Sequence, residues 1–301
     1  MNLSPLLAYI HELPEYERLY QLLVRDEAIP HQVRLPRSVR PPLAAALARD
    51  LLRPVVLVVP RADRLIALME EIPAWDPELN LLTFPDPNPL FYEQAPWSHS
   101  TIRHRVTCLA ALTADRIPGS PSSTSFVQPT IIIAPAKAIM TRTISPQTFL
   151  SKSRWLKTGG PIRFDRLVTL LVDIGYTHTS LVTEPGQFSR RGGILDLWPP
   201  TEGNPVRLEF FGDELASMRL FNPNSQRSVG ILQKLPLTPA REGLPRLYQE
   251  AWDDLLLHSD PLTELNPDPL LEFFLPMMND VPTGLLDYLP PDSIVLLDDR
   301  T

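Results

Sequence analysis

Two uninterrupted β-branched runs, "PVVLVVP" at 54–60 and "TIIIAP" at 130–135, decide what this chain folds into. Neither run offers water a polar face. A strand of that kind must be covered on both sides, as central strands of a helix-flanked parallel sheet are. The neighbouring segments supply the cover. "PPLAAALARDLL" opens on prolines, which suit a first helical turn. "ADRLIALMEEIPAW" repeats apolar residues at three and four, as do "TIRHRVTCLAALTA" and the shorter "AKAIMTRT". With "HQVRL" and "LNLLTFP" as further strands, residues 1–145 read βαβαβαβ, a parallel sheet with helices on both faces.

Such sheets often hold a nucleotide in the loop after the first strand. A phosphate loop needs G-x-x-x-x-G-K-[ST], because glycine amides cradle the phosphates and the lysine reaches them. Here the loop is "LPRSVRPP" at 35–42, and the first glycine anywhere in the chain is Gly119. Pro36, Pro41 and Pro42 have no amide hydrogen to donate. Arg37 and Arg40 are candidate anion holders, weighed against an ordinary solvated loop. The expectation is a nucleotide-binding shape without its nucleotide site: no cofactor and no catalytic residues. Metal chemistry has little support either. Asp253-Asp254 and Asp298-Asp299 pair carboxylates, but the six histidines are scattered and none stands at ligand spacing. Cys108 is the sole cysteine, so no disulfide forms within the chain. Its helical spacing with Val106, Leu109 and Leu112 reads as a buried thiol.

Near residue 146 the pattern changes. "IRFDRLVTLLVDIGY" is a helix, with Asp165 as its cap, Leu167, Val168, Leu170, Leu171 and Ile174 as its apolar face, and Gly175 as its stop. Short strands follow: "YTHTSLVTE", "GQFSRR", "GGILDLWP", "VRLEFF" and "ELASMRLF", with Gly212-Asp213 as a two-residue hairpin turn. That is an α+β domain over 146–235 built on an antiparallel meander. From 236 to 301 the chain returns to the first domain, through helical segments such as "LYQEAWDDLLLH" and a second buried-strand pattern, "DSIVLLDDR". A strand at the end reads as the start of something longer.

The net charge of −7 and a pI near 5.4 argue against tight duplex binding, which rests on phosphate neutralisation by a basic excess. Between 146 and 230, however, ten Lys/Arg face eight Asp/Glu, a local +2 against −9 for the remainder. No apolar run is long enough to span a bilayer, and the first residues lack the basic start of a signal peptide, so the expected location is the cytoplasm. The mildly basic segment contains the most informative strand. In "VRLEFF", alternation puts Val206, Leu208 and Phe210 on one face and Arg207, Glu209 and Phe211 on the other. An aromatic on a charged face is what an interface anchor looks like. The structural alternative is that Arg207 and Glu209 pair across the sheet and Phe211 packs under a loop.

The stretch "EPGQFSRRGGILDLWPPTEGNPVRLEFFGDELASMRLFNPNSQRS" closely resembles the UvrB-homologous segment of the bacterial transcription-repair-coupling factor (Mfd) family. The shared features are the Arg-Gly-Gly, "ILDLWP", the "VRLEFFGDE" hairpin and the turn before "SQRS". "FPDPNPLFYEQAPWSHSTIRHRVTCLAAL" and "TIIIAPAKAIMTRTISP" resemble the family too. The resemblance implies a degenerate P-loop NTPase-like (RecA-like) domain, split in sequence by an inserted α+β domain that binds UvrA. It places the UvrA contacts at Arg191, Arg207 and Phe211, with Arg190 as a solvated neighbour. On this reading the glycines after Arg191 let the strand bend, and loss of Arg207 leaves thermal stability nearly unchanged. It further implies that the ATP-driven motor, the RNA polymerase contacts and the DNA track belong to other parts of a full-length protein. A UvrB-like damage-binding ATPase is the alternative. It would need the glycine-lysine loop and a long aromatic hairpin, where this chain has only "YEQAPWSHST".

Overall fold

The computed structural model describes residues 2–25, 32, 34–87, 89, 93, 95–120, 128–244, 271–278 and 281–298. In chain order the helices and strands begin with α1 (Leu7–His11), α2 (Pro14–Val24), α3 (Arg40–Leu51), β1 (Val55–Val59), α4 (Ala62–Trp75), β2 (Asn80–Thr83) and α5 (His99–Thr113). Next come β3 (Thr130–Pro135), α6 (Ala136–Met140), α7 (Pro146–Lys152), β4 (Arg154–Lys157), α8 (Phe164–Asp173), β5 (Thr177–His178) and β6 (Gln187–Arg191). The remainder are β7 (Ile194–Leu197), β8 (Val206–Phe211), β9 (Glu214–Phe221), β10 (Ser228–Leu232), β11 (Lys234–Leu237), α9 (Leu271–Met278) and β12 (Ile294–Leu297). They gather into two compact units, 1–86 with 124–141 and 289–301, and 87–123 with 142–288.

The first unit holds a four-stranded parallel sheet in the order β12-β1-β3-β2. The two β-branched runs are its central strands, as their composition requires. α3 is apolar nearly all round because it is covered twice. Ala44 and Ala48 pack on Val55, Leu57, Ile131 and Ile133 of the sheet, while Leu43, Ala46 and Leu47 meet Leu7, Ile10, Tyr16 and Leu19. Small residues on the sheet side let the helix axis approach closely.

Two expectations fail here. Gln32, Arg34 and Leu35 of "HQVRL" are in no strand. β-propensity in so short a run does not make a strand without a neighbour to pair with. The "DSIVLLDDR" segment does form a strand, β12, but it stands at the sheet's edge, and Val295 and Leu297 are exposed. An apolar run shows that a strand can be buried, not how many neighbours it has.

The loop expected to lack a phosphate site is a short 3-10 turn, Arg37–Val39, leading into α3, with Pro41 and Pro42 buried in its first turn. Asp298, buried just past the end of β12, takes Arg40 on one carboxylate oxygen at 2.7 Å and Arg64 on the other at 3.0 Å. Arg40 is thus spent on an internal carboxylate. Arg37 lines an open cleft of about 350 Å³ whose walls mix Arg61 and Arg64 with Asp63 and Asp298.

The second unit is built on a six-stranded sheet, β10-β9-β8-β7-β6-β5, antiparallel except for the short β5–β6 pair. α8 covers one face: Leu167, Leu171 and Ile174 pack with Phe188, Leu195, Leu197, Val206, Leu208, Leu215 and Met218. β4 and β11 form a separate antiparallel ribbon that the sequence reading did not anticipate. The α8 cap differs from expectation. The N-cap is Arg163, and Asp165 lies inside the first turn, where its carboxylate favours the helix dipole. α5 belongs to this unit. Its Arg105 is fully buried on Glu242, which also accepts from the Thr143 hydroxyl, and the guanidinium lies 4.9 Å from the Trp97 ring centre. Cys108 on the same helix is buried, and burial drives its thiol pKa upward. The expected helix over 247–258 lies outside the described residues, as do Asp253, Asp254 and Asp299. Among the described residues no helix is long and apolar enough to cross a membrane, and no three His, Cys, Asp or Glu cluster to hold a metal ion.

Candidate protein-docking surface

The face of the six-stranded sheet turned away from α8 carries the candidate residues. Register fixes which side chains share it. One cross-strand row runs Ser189, Asp196, Arg207, Arg219, Ile231; the next runs Arg191, Ile194, Glu209, Ser217. Phe211 lies one step further along β8, opposite Glu214. Arg191, Arg207 and Phe211 therefore lie on one face, as alternation in "VRLEFF" requires.

Both hairpin tips point to the same end of the sheet. β6 and β8 run in the same direction, so the β6–β7 and β8–β9 turns are neighbours. Each strand ends on a candidate residue followed by a left-handed glycine: Arg191 before Gly192 and Phe211 before Gly212, both at φ +60°. A left-handed first position suits a tight hairpin, and glycine occupies it without strain. The Arg-Gly-Gly is thus a turn between two strands, not a bend within one. Gly193 serves a second purpose. Its carbonyl accepts from the Phe210 amide at 2.9 Å, and a Cβ there would sit 3.2 Å from the Phe210 carbonyl oxygen. Pairing shifts from Glu209–Ser217 to Phe210–Leu215, so Ala216 of β9 is the extra residue of a bulge just before the tip, which sharpens local twist.

The three side chains differ in how they are held. Phe211 is 83% exposed and packs under no loop. Arg191 is exposed, and its guanidinium donates to the Ser180 carbonyl at 3.0 Å. Arg207 is fixed on several sides. Its Nε and Nη2 donate to the two oxygens of Asp196 at 2.7 and 2.8 Å, and Nη2 also reaches the Gln226 amide oxygen at 3.3 Å. The guanidinium lies 4.8 Å from the Phe221 ring centre. The hydrogen bonds to Asp196 push the Arg207 pKa further up, partly offset by desolvation. Glu209 takes the Ser217 hydroxyl at 2.6 Å and Arg219 at 3.5 Å. Of the structural alternative, the cross-sheet pairing of Arg207 and Glu209 is present and the burial of Phe211 is not.

Strand spacing places Arg191, Arg207 and Phe211 roughly 12–13 Å apart, at ~4.8 Å between strands and ~3.3 Å per residue. They outline a broad plate rather than a compact cluster. Ile194, 37% exposed, lies inside that outline. Arg190 alternates to the other side, where it stacks over Phe164 at 4.7 Å and pairs with Asp165 at 3.4 Å; it is solvated, as expected, and also tied to α8. Ile194, Arg219 and Ile231 escaped the sequence reading. The signal for Ile194 was present, since period two in "ILDL" puts it beside Asp196 on the outer face.

Residues 155–242, which span this sheet, match the family model described as the UvrB interaction domain. Over 288 residues the chain is 27% identical to the transcription-repair-coupling factor of Bacillus subtilis (strain 168), covering 87% of this chain and 23% of that protein. The Escherichia coli (strain K12) transcription-repair-coupling factor is 27% identical over 268 residues, 84% of this chain and 22% of its own length. That of Mycobacterium tuberculosis (strain CDC 1551 / Oshkosh) is 32% identical over 220 residues, 69% and 16% respectively. The chain spans less than a quarter of the length of these relatives. It belongs to the family of transcription-repair-coupling factors.

Proposed function

We propose that this chain recruits UvrA in transcription-coupled nucleotide excision repair. Residues 146–235 act as the docking domain, and Arg191, Arg207 and Phe211 as its contacts. The observation that carries the proposal is Phe211: a phenylalanine at 83% exposure, on the same outer face as Arg191 and Arg207, of a sheet matched by a UvrB interaction domain. Leaving such a ring in water forgoes on the order of 150 Å² of burial, which a partner pocket recovers. Arg191, exposed at the β6 tip, supplies charge for steering and orientation. In Arg207 the fork is already closed on Asp196, so it presents Nη1 and its flat face rather than an open bidentate grip.

The first unit fits a degenerate RecA-like sheet, one that has lost nucleotide binding: proline replaces the amide donors of the loop and Asp298 occupies Arg40. On this reading the chain itself hydrolyses no ATP and works in the cytoplasm. Translocation on DNA and engagement of RNA polymerase fall to parts of a full-length family member beyond this segment. Titration of purified UvrA into the 301-residue chain tests the reading. Phe211→Ala lowers affinity by on the order of thirtyfold if it is a buried anchor, about 2 kcal/mol. Parent-like binding by the Arg191→Ala/Phe211→Ala double variant refutes it.

A further inference from the structure

On the row that carries Arg207, two strands away, Ile231 lies 75% exposed on β10; its neighbour Val229 is 58% exposed, and Arg219 stands between Ile231 and Arg207. Ile231, with Val229 exposed beside it, forms a second apolar pole, and Ile231 lies on the same face as Phe211 and on the row of Arg207 and Arg219. We propose that Val229 and Ile231 are a second anchor of the same docking surface, so that the partner's footprint runs from the hairpin tips to the edge strand β10. The inference rests on the proposed UvrA-recruiting function.

Sequence and geometry both favour side-chain docking here over strand addition. Edge strands are ordinarily protected by charge, proline or a bulge. "SVGIL" has no charge and no proline, but the β9–β10 register shifts between Ser228 and Gly230. That bulge interrupts the regular hydrogen-bond row an added strand would need, and it falls at Val229. The bulge guards the backbone while the two β-branched side chains stay open to solvent. Isolated exposed apolar residues are ordinary on a protein surface. Here three large ones, Ile194, Phe211 and Ile231, fall on one face of one sheet, and Val229 is exposed beside Ile231 at the bulge.

Charge selects the occupant. The face presents Arg191, Arg207 and Arg219 against Asp196, Glu209 and Glu214, and Asp196 is buried beneath Arg207. Guanidinium and carboxylate groups in equal number beside exposed apolar side chains fit a protein surface of mixed charge better than a polyanion. Nucleic acid would find phosphate partners in the arginines but, on this face, only Phe211 as an exposed ring to stack a base on, and no use for Ile231 or Val229.

The test compares three proteins: the parent chain, Val229→Thr/Ile231→Thr, and Phe211→Ala. Threonine keeps β-branching and strand propensity while removing apolar surface. Each is melted, sized by sedimentation, and titrated with purified UvrA and with single-stranded DNA. The expected result is unchanged melting and a weakening of UvrA binding by tenfold or more for the edge variant, with Phe211→Ala also weakened. A parent-like edge variant beside a weakened Phe211→Ala overturns this inference and leaves the recruiting function standing. Parent-like binding by both overturns both. Loss of self-association or of DNA binding in the edge variant, with UvrA binding retained, overturns the choice of partner. Should the edge variant melt early, Ile231→Val and Arg219→Ala replace it, and parent-like UvrA affinity in both sinks the proposal.

Discussion

Arg207→Ala will destabilise the chain, and Phe211→Ala will not. Asp196 is 4% exposed, with both oxygens held by Arg207 at 2.7 and 2.8 Å. Removing the guanidinium strands a carboxylate in the sheet between Leu195 and Leu197. Breaking a fully buried ion pair costs about 3–5 kcal/mol because the remaining charge is uncompensated. Arg207 itself is 28% exposed along its side chain, so water enters the vacated space and relieves part of that penalty. Loss of the cation–π contact with Phe221 adds roughly 0.5–1 kcal/mol. Together these give about 2–3 kcal/mol, on the order of 5–10 °C in Tm for a unit of this size. Phe211, largely solvated, stays within about 0.5 kcal/mol of the parent.

Thermal melting of the two single variants measures this directly, and a third variant checks the cause. Arg207→Leu/Asp196→Leu removes both charges and should recover much of the lost stability, since replacing a pair by apolar residues is far less costly than breaking it. If Arg207→Ala melts with the parent, the ion pair is not stabilising and the reasoning fails. If the double variant melts no higher than Arg207→Ala, the loss has another origin than a stranded carboxylate. The outcome also governs how binding data are read. A weakened Arg207→Ala is evidence of contact only once its folded fraction is known, so Phe211→Ala is the cleaner probe of docking.

Calorimetric titration of the chain with Mg-ATP should give no micromolar binding, because the loop at 35–42 offers prolines and Arg40 is held by Asp298. Filter binding to duplex DNA near physiological salt should show no sub-micromolar midpoint; a tight, steeply salt-dependent curve refutes the acidic-chain argument. Burial raises the Glu202 pKa, so ionising Glu202 costs stability. That cost is absent below the unfolded carboxylate pKa and fully present above the raised folded value. Glu202→Gln should therefore raise Tm at pH 7.5, with the gain shrinking as pH falls through the carboxylate range, and a gain constant with pH counts against this.

How far the sequence reaches depends on the question asked of each residue. Period two in "VRLEFF" separated Val206, Leu208 and Phe210 from Arg207, Glu209 and Phe211, because the alternation belongs to the strand itself. Pairing does not belong to one strand. That Arg207 closes on Asp196 follows from the β7–β8 register, which "ILDL" and "VRLEFF" specify only once the turn between them is built. The same limit explains β12, whose "IVLL" reads like β1 yet pairs with β1 alone among the described residues, and "HQVRL", whose described residues Gln32, Arg34 and Leu35 are in no strand. It also explains the edge anchor. Ile231 is unremarkable in sequence and becomes a candidate when register lines it up with Arg219 and Arg207. The residues legible beforehand are those whose environment is set by their own strand. Those revealed by the fold are set by a neighbour two strands away, and on a docking sheet such neighbours determine what shape of partner fits.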